Sequence, residues 1–290
     1  MADGGVSPTD GYRERHLTAQ DGLRLYYRDY GDALSDRRPL LCLAGLARNS
    51  KDFHSFALRQ SHARRVVCPD YRGRGRSGYD SDWRNYRPEV YVNDLFHLMA
   101  AANLHHVAIC GISMGGLLAM GMAVAAPAQL AGVIVNDAGP EIETRGLARI
   151  LEYVGRDHPQ SDWDSALAET KRLFPQLGLD SEADWRPISE GTFREGEDGL
   201  LHVDWDVALA KALTHDQQDL WIYYRALAPL PVLAIRGELS DVLSAETFQR
   251  MAELKPDLVQ VSVPGVGHVP RLNHPLVEHA IDDFLARLDA

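Results

Sequence analysis

Residues 110–116 read CGISMGG, with one serine, Ser113, among three glycines. A serine hydroxyl is a weak nucleophile near neutral pH. It needs a base beside it and an acid that holds the base. Two later stretches offer such groups. VGHVPRL carries His268 between Gly267 and a Val-Pro pair, and ELSDVLS carries Asp241. A serine, an imidazole and a carboxylate that converge would perform nucleophilic attack on a carbonyl carbon. The competing reading is a glycine-rich turn whose serine is idle. Asp137 is a rival for the acid, and Glu238 lies close to Asp241 but directly after Gly237. Of the 12 histidines, His54, His97, His105, His106 and His274 read as surface or packing residues.

These residues act only if elements bring them together. Gly111-Ile112-Ser113-Met114-Gly115 follows the apolar run VAIC (107–110) and precedes the helical stretch LLAMGMAVAAP. A strand turning sharply into a helix strains the backbone at its apex. It also crowds the positions two before and two after, which explains glycine at Gly111 and Gly115. The apex side chain then faces the free N–H groups of a helix start, where developing negative charge is favoured. PVLAIRG (231–237) and LVQVSVPG (258–265) read as strands, so Asp241 and His268 both lie just past strand ends. LLCLAG (40–45) is another apolar run, and Leu46 follows its glycine. The backbone N–H groups of Leu46 and Met114 are the expected pair of donors to an oxyanion.

The wider pattern supports this placement. Strand-like runs without alternation (40–45, 63–70, 107–110, 131–137) are separated by helical stretches, one over 90–103. That pattern predicts an α/β fold with a mostly parallel sheet covered on both faces. GLRLYYRDYG (22–31) has strand character, and 275–288 reads as a closing amphipathic helix. Between the two halves, residues 142–224 look mainly helical and hold four of the five tryptophans. They read as an inserted cap with its own small core, one or two tryptophans facing a pocket. TRGLARILEYVG is a helix stopping at Gly155. Ser161 and Asp164 have the spacing of a capping box. Residues 192–203 suggest a hairpin around EGEDG. The expected organisation is a core of 1–141 and 225–290 with a cap at 142–224.

Composition narrows the class. The 290 residues are 45% hydrophobic and 24% charged, ordinary for a soluble globular protein. No apolar run approaches the roughly 20 residues of a membrane helix, and the N-terminus MADGGVSPTDGYRERH lacks the apolar segment of a signal peptide. A cytoplasmic protein without a membrane partner is expected. Cys42, Cys68 and Cys110 each sit in a strand-like run and read as small core residues rather than disulfides or metal ligands. The net charge of −11 and the lack of a basic cluster argue against nucleic acid. Between Glu141 and Arg225 there are 18 acidic and 9 basic residues. The cap is therefore expected to disfavour polyanionic ligands.

Taken in order, LAGLARNS, PDYRGRGRS, GISMGG, RGELSD and GVGHVP resemble the α/β-hydrolase superfamily over nearly the whole chain. In PDYRGRGRS, Asp70, Arg72, Gly73, Gly75 and Ser77 match a family turn that borders the site without being catalytic. The resemblance implies a serine hydrolase of the carboxylesterase or enol-lactonase kind. It would use no metal and no organic cofactor. Its partner would be a small ester or lactone, and its site Ser113, Asp241 and His268. Two features differ from common family patterns. Ala44-Gly45 replaces the frequent His-Gly, and Val269 rather than tryptophan follows His268, unlike carbon–carbon bond hydrolases of ring-cleavage products. Those hydrolases, cofactor-free haloperoxidases or perhydrolases, and non-catalytic small-molecule receptors are the alternatives on the same fold. The acidic cap weighs against a carboxylated lactone.

Overall fold

The computed structural model describes residues 11–177, 179, 181–213 and 219–290. Residues 1–10 of the polar N-terminal stretch MADGGVSPTDGYRERH lie outside them. The chain runs through β1 (Tyr12–Thr18), β2 (Arg24–Tyr30), β3 (Leu40–Leu43), α1 (His54–Ser61), β4 (Val66–Asp70), α2 (Pro88–Ala101), β5 (Val107–Ile112), α3 (Met114–Ala125) and β6 (Leu130–Asn136). It continues through α4 (Thr144–Val154), α5 (Trp163–Leu173), α6 (Glu182–Thr192), β7 (Phe193–Glu195), β8 (Leu201–Val203), α7 (Leu209–Ala212) and α8 (Trp221–Arg225). It closes with β9 (Val232–Gly237), α9 (Ala245–Leu254), β10 (Val259–Val263) and α10 (Pro275–Asp289).

Eight strands form one sheet in the order β1-β2-β4-β3-β5-β6-β9-β10. β2 pairs antiparallel with β1 and β4, and the strands from β4 to β10 pair in parallel. The central runs lack alternation because both faces are covered: β3 and β6 are buried at every residue. β6 shows both faces. A Cβ at Gly132 would meet Phe284 and Leu288 of α10, whereas Val135 lies against Gly116 of α3. The two positions differ by an odd number, so they face opposite sides. Each fully buried apolar side chain contributes about 1.5–3 kcal/mol, and the single large core runs from Tyr27 to Leu285. Cys42, Cys68 and Cys110 are buried, free thiols on β3, β4 and β5. Among the described residues no helix is long and apolar enough to cross a membrane.

The segment 142–224 holds α4 to α8 and the antiparallel hairpin β7–β8, which matches the expected turn. The helix over α4 stops at Gly155 as its pattern indicates. The start of α5 differs by one residue from expectation. Asp162 is the N-cap and accepts from the Ser165 amide at 2.8 Å, while Ser161 Oγ donates to Asp162. Asp162 takes the cap because, from extended backbone, its carboxylate reaches the amide three residues on. Leu167, Leu173, Phe174 and Trp185 form a small separate core in this segment, but Trp205 and Trp221 join the main one.

Candidate active site

β5 ends at Ile112, and Ser113 takes φ 51° and ψ −118° before α3 begins at Met114. A non-glycine residue there is strained by roughly 1–3 kcal/mol. Its amide donates to Asn136 O of the neighbouring β6 at 2.9 Å, which fixes the apex. The glycines are sterically required. A Cβ on Gly111 would lie 2.5 Å from the Gly115 carbonyl carbon, and one on Gly115 would strike the Leu43 backbone.

His268 follows β10 and reaches the apex. Its Nε2 is 3.0 Å from Ser113 Oγ, and its Nδ1 is 2.6 Å from Asp137 Oδ2. Asp137 is fully buried, and its Oδ1 also accepts from the Gly237 amide at 3.2 Å. An ionised carboxylate only accepts. Nδ1–H therefore donates to Asp137, and Nε2 is left to accept from the serine hydroxyl.

This placement corrects the expected acid. Asp241 does not hold His268; it accepts from Arg149 of α4 through Nε at 2.7 Å and Nη2 at 2.8 Å. The reason lies in the two strand ends. Asp137 directly follows β6 with a left-handed backbone, φ 56°, and its amide donates to Ile235 O of β9 at 2.8 Å. That turn points its carboxylate beneath the histidine loop, which Asn136 Nδ2 tethers through Pro270 O at 2.8 Å. Asp241 stands four residues beyond β9, where Gly146 lets α4 lie directly on its carbonyl. The Arg149 guanidinium holds the Asp241 carboxyl below its ordinary value. The other neighbour, Glu238, accepts from the Gly265 amide at 2.8 Å.

The loop after β3 borders the serine. A Cβ on Gly45 would lie 3.8 Å from Ser113 Cβ. Among the described residues no backbone carbonyl accepts from the amide of Leu46 or of Met114. Arg74, wholly buried, braces both residues: Nε donates to Leu46 O at 2.8 Å, and Nη2 lies 4.0 Å from Met114 Sδ. Its Nη1 donates to Tyr91 Oη at 2.6 Å and to Arg72 O at 2.7 Å. Arg74 is assigned no role from the sequence, where its charge does not single it out in a turn that also carries Asp70, Arg72 and Arg76. The rest of that turn is structural. Asp70 accepts from the Ser50 and Arg76 amides at 2.7 and 2.9 Å, and burial raises its carboxyl pKa. Arg72 bridges Asp94, Asp21 and Asp80.

A cavity of about 370 Å³ opens over Ser113 and His268. The 44–48 loop and the 268–273 loop form part of its wall; residues of α4, α6 and the 174–177 stretch form much of the remainder. Among the described residues no tryptophan lines it. Despite the acidity of the 142–224 segment, the charged residues that segment gives the cavity, among the described residues, are Arg149 and Asp184. Arg48, Asp52 and Arg271 complete the charged lining. Among the described residues no group of three or more His, Cys, Asp or Glu is placed to hold a metal ion.

A nucleophile elbow on the fifth strand of a mostly parallel sheet, with its histidine after the last strand, defines a class. The chain belongs to the alpha/beta hydrolase family, whose model matches residues 40–286, and it is a hydrolase of that family. Among curated relatives, a 3-hydroxybutyrate-oligomer hydrolase of Cupriavidus necator is 33% identical over 263 residues, covering 87% of this chain and 89% of the relative. A 2-(acetamidomethylene)succinate hydrolase of Mesorhizobium japonicum is 27% identical, covering 85% of this chain and 87% of its own. The crystal structure of an alpha/beta hydrolase from Novosphingobium aromaticivorans superposes with a TM-score of 0.90 at 38% identity, covering 96% of this chain and 99% of that one.

Proposed function

We propose that the protein is a serine hydrolase that cleaves small carboxylic esters or lactones through an acyl-enzyme on Ser113. The observation that carries this reading is the hydrogen-bonded line Ser113 Oγ, His268, Asp137 at the floor of the cavity. In the first step Nε2 of His268 takes the hydroxyl proton as Oγ attacks the ester carbonyl carbon. Asp137 stabilises the imidazolium that results. The Leu46 and Met114 amides donate to the carbonyl oxygen as it becomes an oxyanion. Collapse breaks the ester C–O bond, and the imidazolium returns its proton to the leaving alkoxide. Water, deprotonated by His268, then releases the acid by the same route in reverse. Residues 142–224 serve as the lid that closes the acyl and alcohol pockets. The 3-hydroxybutyrate-oligomer hydrolase relative supports placing short hydroxy-acid esters first among substrates.

The test is steady-state hydrolysis of p-nitrophenyl esters, short hydroxy-acid esters and small lactones by wild type and Ser113→Ala. Turnover should fall by up to about a millionfold in the variant. Near-wild-type turnover by Ser113→Ala would overturn the proposal, as would wild-type inactivity across the panel.

A further inference from the structure

The cavity has three guanidinium groups in its wall, and they are not equivalent. Arg48 donates to Asp52 through Nε and Nη2, to Thr192 through Nη1, and to the Ile188 carbonyl through Nη2. It is committed to holding its own loop against α6. Arg271 pairs with Asp184 at 2.8 Å, but both side chains are more than a third exposed, so water competes for them.

Arg149 differs from both. Nε and Nη2 face Asp241, Nη1 makes no hydrogen bond among the described residues, and the side chain is 24% exposed. Ile150, Tyr153, Phe174 and Leu177 supply apolar wall to the same cavity. A guanidinium is weakly hydrated and planar, and its second N–H edge matches another carboxylate. Behind it Arg149 and Tyr153 also line a smaller cavity of about 130 Å³ with Arg156, Arg172 and Glu152, and Arg172 is paired with Glu169. Arg149 lines the same cavity as Ser113 and His268, so the Arg149–Asp241 pair stands near the reacting centre.

We propose that Arg149 recognises a free carboxylate on the substrate, so that the preferred substrates are short esters that carry one. This rests on the ester-hydrolase reading and narrows it to anionic esters. It runs against the expectation drawn from the acidic composition of 142–224, because among the described residues Asp184 is the one acid of that segment that lines the cavity. Asp241 has two effects here. It orients the guanidinium, and it competes for it, so a bound carboxylate is not held too tightly to leave.

The experiment follows acetate release from 3-acetoxybutyrate and from its methyl ester by wild type, Arg149→Gln and Asp241→Asn. Wild type should favour the anionic ester in kcat/KM by about tenfold to a hundredfold, the range of a hydrogen bond to a charged group. Arg149→Gln should abolish that ratio, chiefly through a raised KM for the anion. Asp241→Asn, which removes the competing carboxylate, should lower KM for the anion relative to the methyl ester. A measurement on wild type alone guards against variants that fail to fold. Free 3-hydroxybutyrate should inhibit methyl-ester hydrolysis at least about tenfold more strongly than 3-hydroxybutyramide. A wild type without carboxylate preference, a preference that survives Arg149→Gln, or equal inhibition by acid and amide would overturn the inference. Methyl-ester turnover lost in Ser113→Ala, with no such preference, would sink this inference and leave the ester-hydrolase reading standing. No turnover of either ester would sink that reading, and this inference with it.

Discussion

Asp137 Oδ2 lies 2.6 Å from His268 Nδ1, although 131 residues separate the two in the chain. The contact joins the end of β6 to the loop after β10. It makes the second carboxylate, Asp241, available to Arg149.

The two acids should therefore separate on mutation. Asp137→Asn should lower kcat by about 10⁴-fold, because the amide favours the wrong imidazole tautomer. Asp241→Asn should cost at least about a hundredfold less, as it leaves that tautomer in place. Steady-state kinetics on one neutral ester checks both; a reversed order would return Asp241 to the catalytic role.

Arg74 should act through the amides it braces. Arg74→Lys keeps the buried charge but cannot reach Leu46 O and Tyr91 Oη together. We expect kcat to fall by about 10²-fold, the scale of one lost oxyanion donor, with KM little changed. A proportional rise in KM with constant kcat would assign Arg74 to the pocket wall instead.

The elbow glycines should tolerate no side chain. Gly111→Ala places a methyl group 2.5 Å from the Gly115 carbonyl carbon, so β5 and α3 must separate. Overpacking of this kind costs about 1–3 kcal/mol or more. Urea denaturation should show a lowered midpoint, with activity lost even in the folded fraction. An alanine variant with unchanged midpoint and turnover would contradict the close approach.

The Arg149–Asp241 pair should also be visible in the acid stability of the protein. Hydrogen bonding to Arg149 depresses the Asp241 carboxyl below its unfolded value. The stabilisation is thus complete above the ordinary carboxylate range, near pH 4, and is lost as pH falls through the lower folded value. Urea midpoints measured from about pH 6 to pH 3 should fall more steeply for wild type than for Asp241→Asn. Parallel curves would show that the pair adds no stability.

Much of this site was legible in the chain because its determinants are local. The GISMG turn demands glycine at Gly111 and Gly115 within one strand-to-helix junction, and unalternating apolar runs mark a sheet covered on both faces. His268 could be chosen among 12 histidines because it lies in the loop just past a strand-like run. The bracing role of Arg74 was not legible, since Leu46 and Tyr91 become its partners only after two loops and α2 fold together.

What the sequence alone singled out is Ser113, His268 and the strand ends that carry them, since each depends on neighbours a few residues away. The tertiary structure decided which carboxylate lies against His268. β6 and β9 are adjacent strands, and each offers an aspartate near its end. The choice turned on a left-handed turn at Asp137 and on an arginine brought in by α4 to occupy Asp241. Both are consequences of packing between segments far apart in the chain, where strand spacing and motif order carry no information.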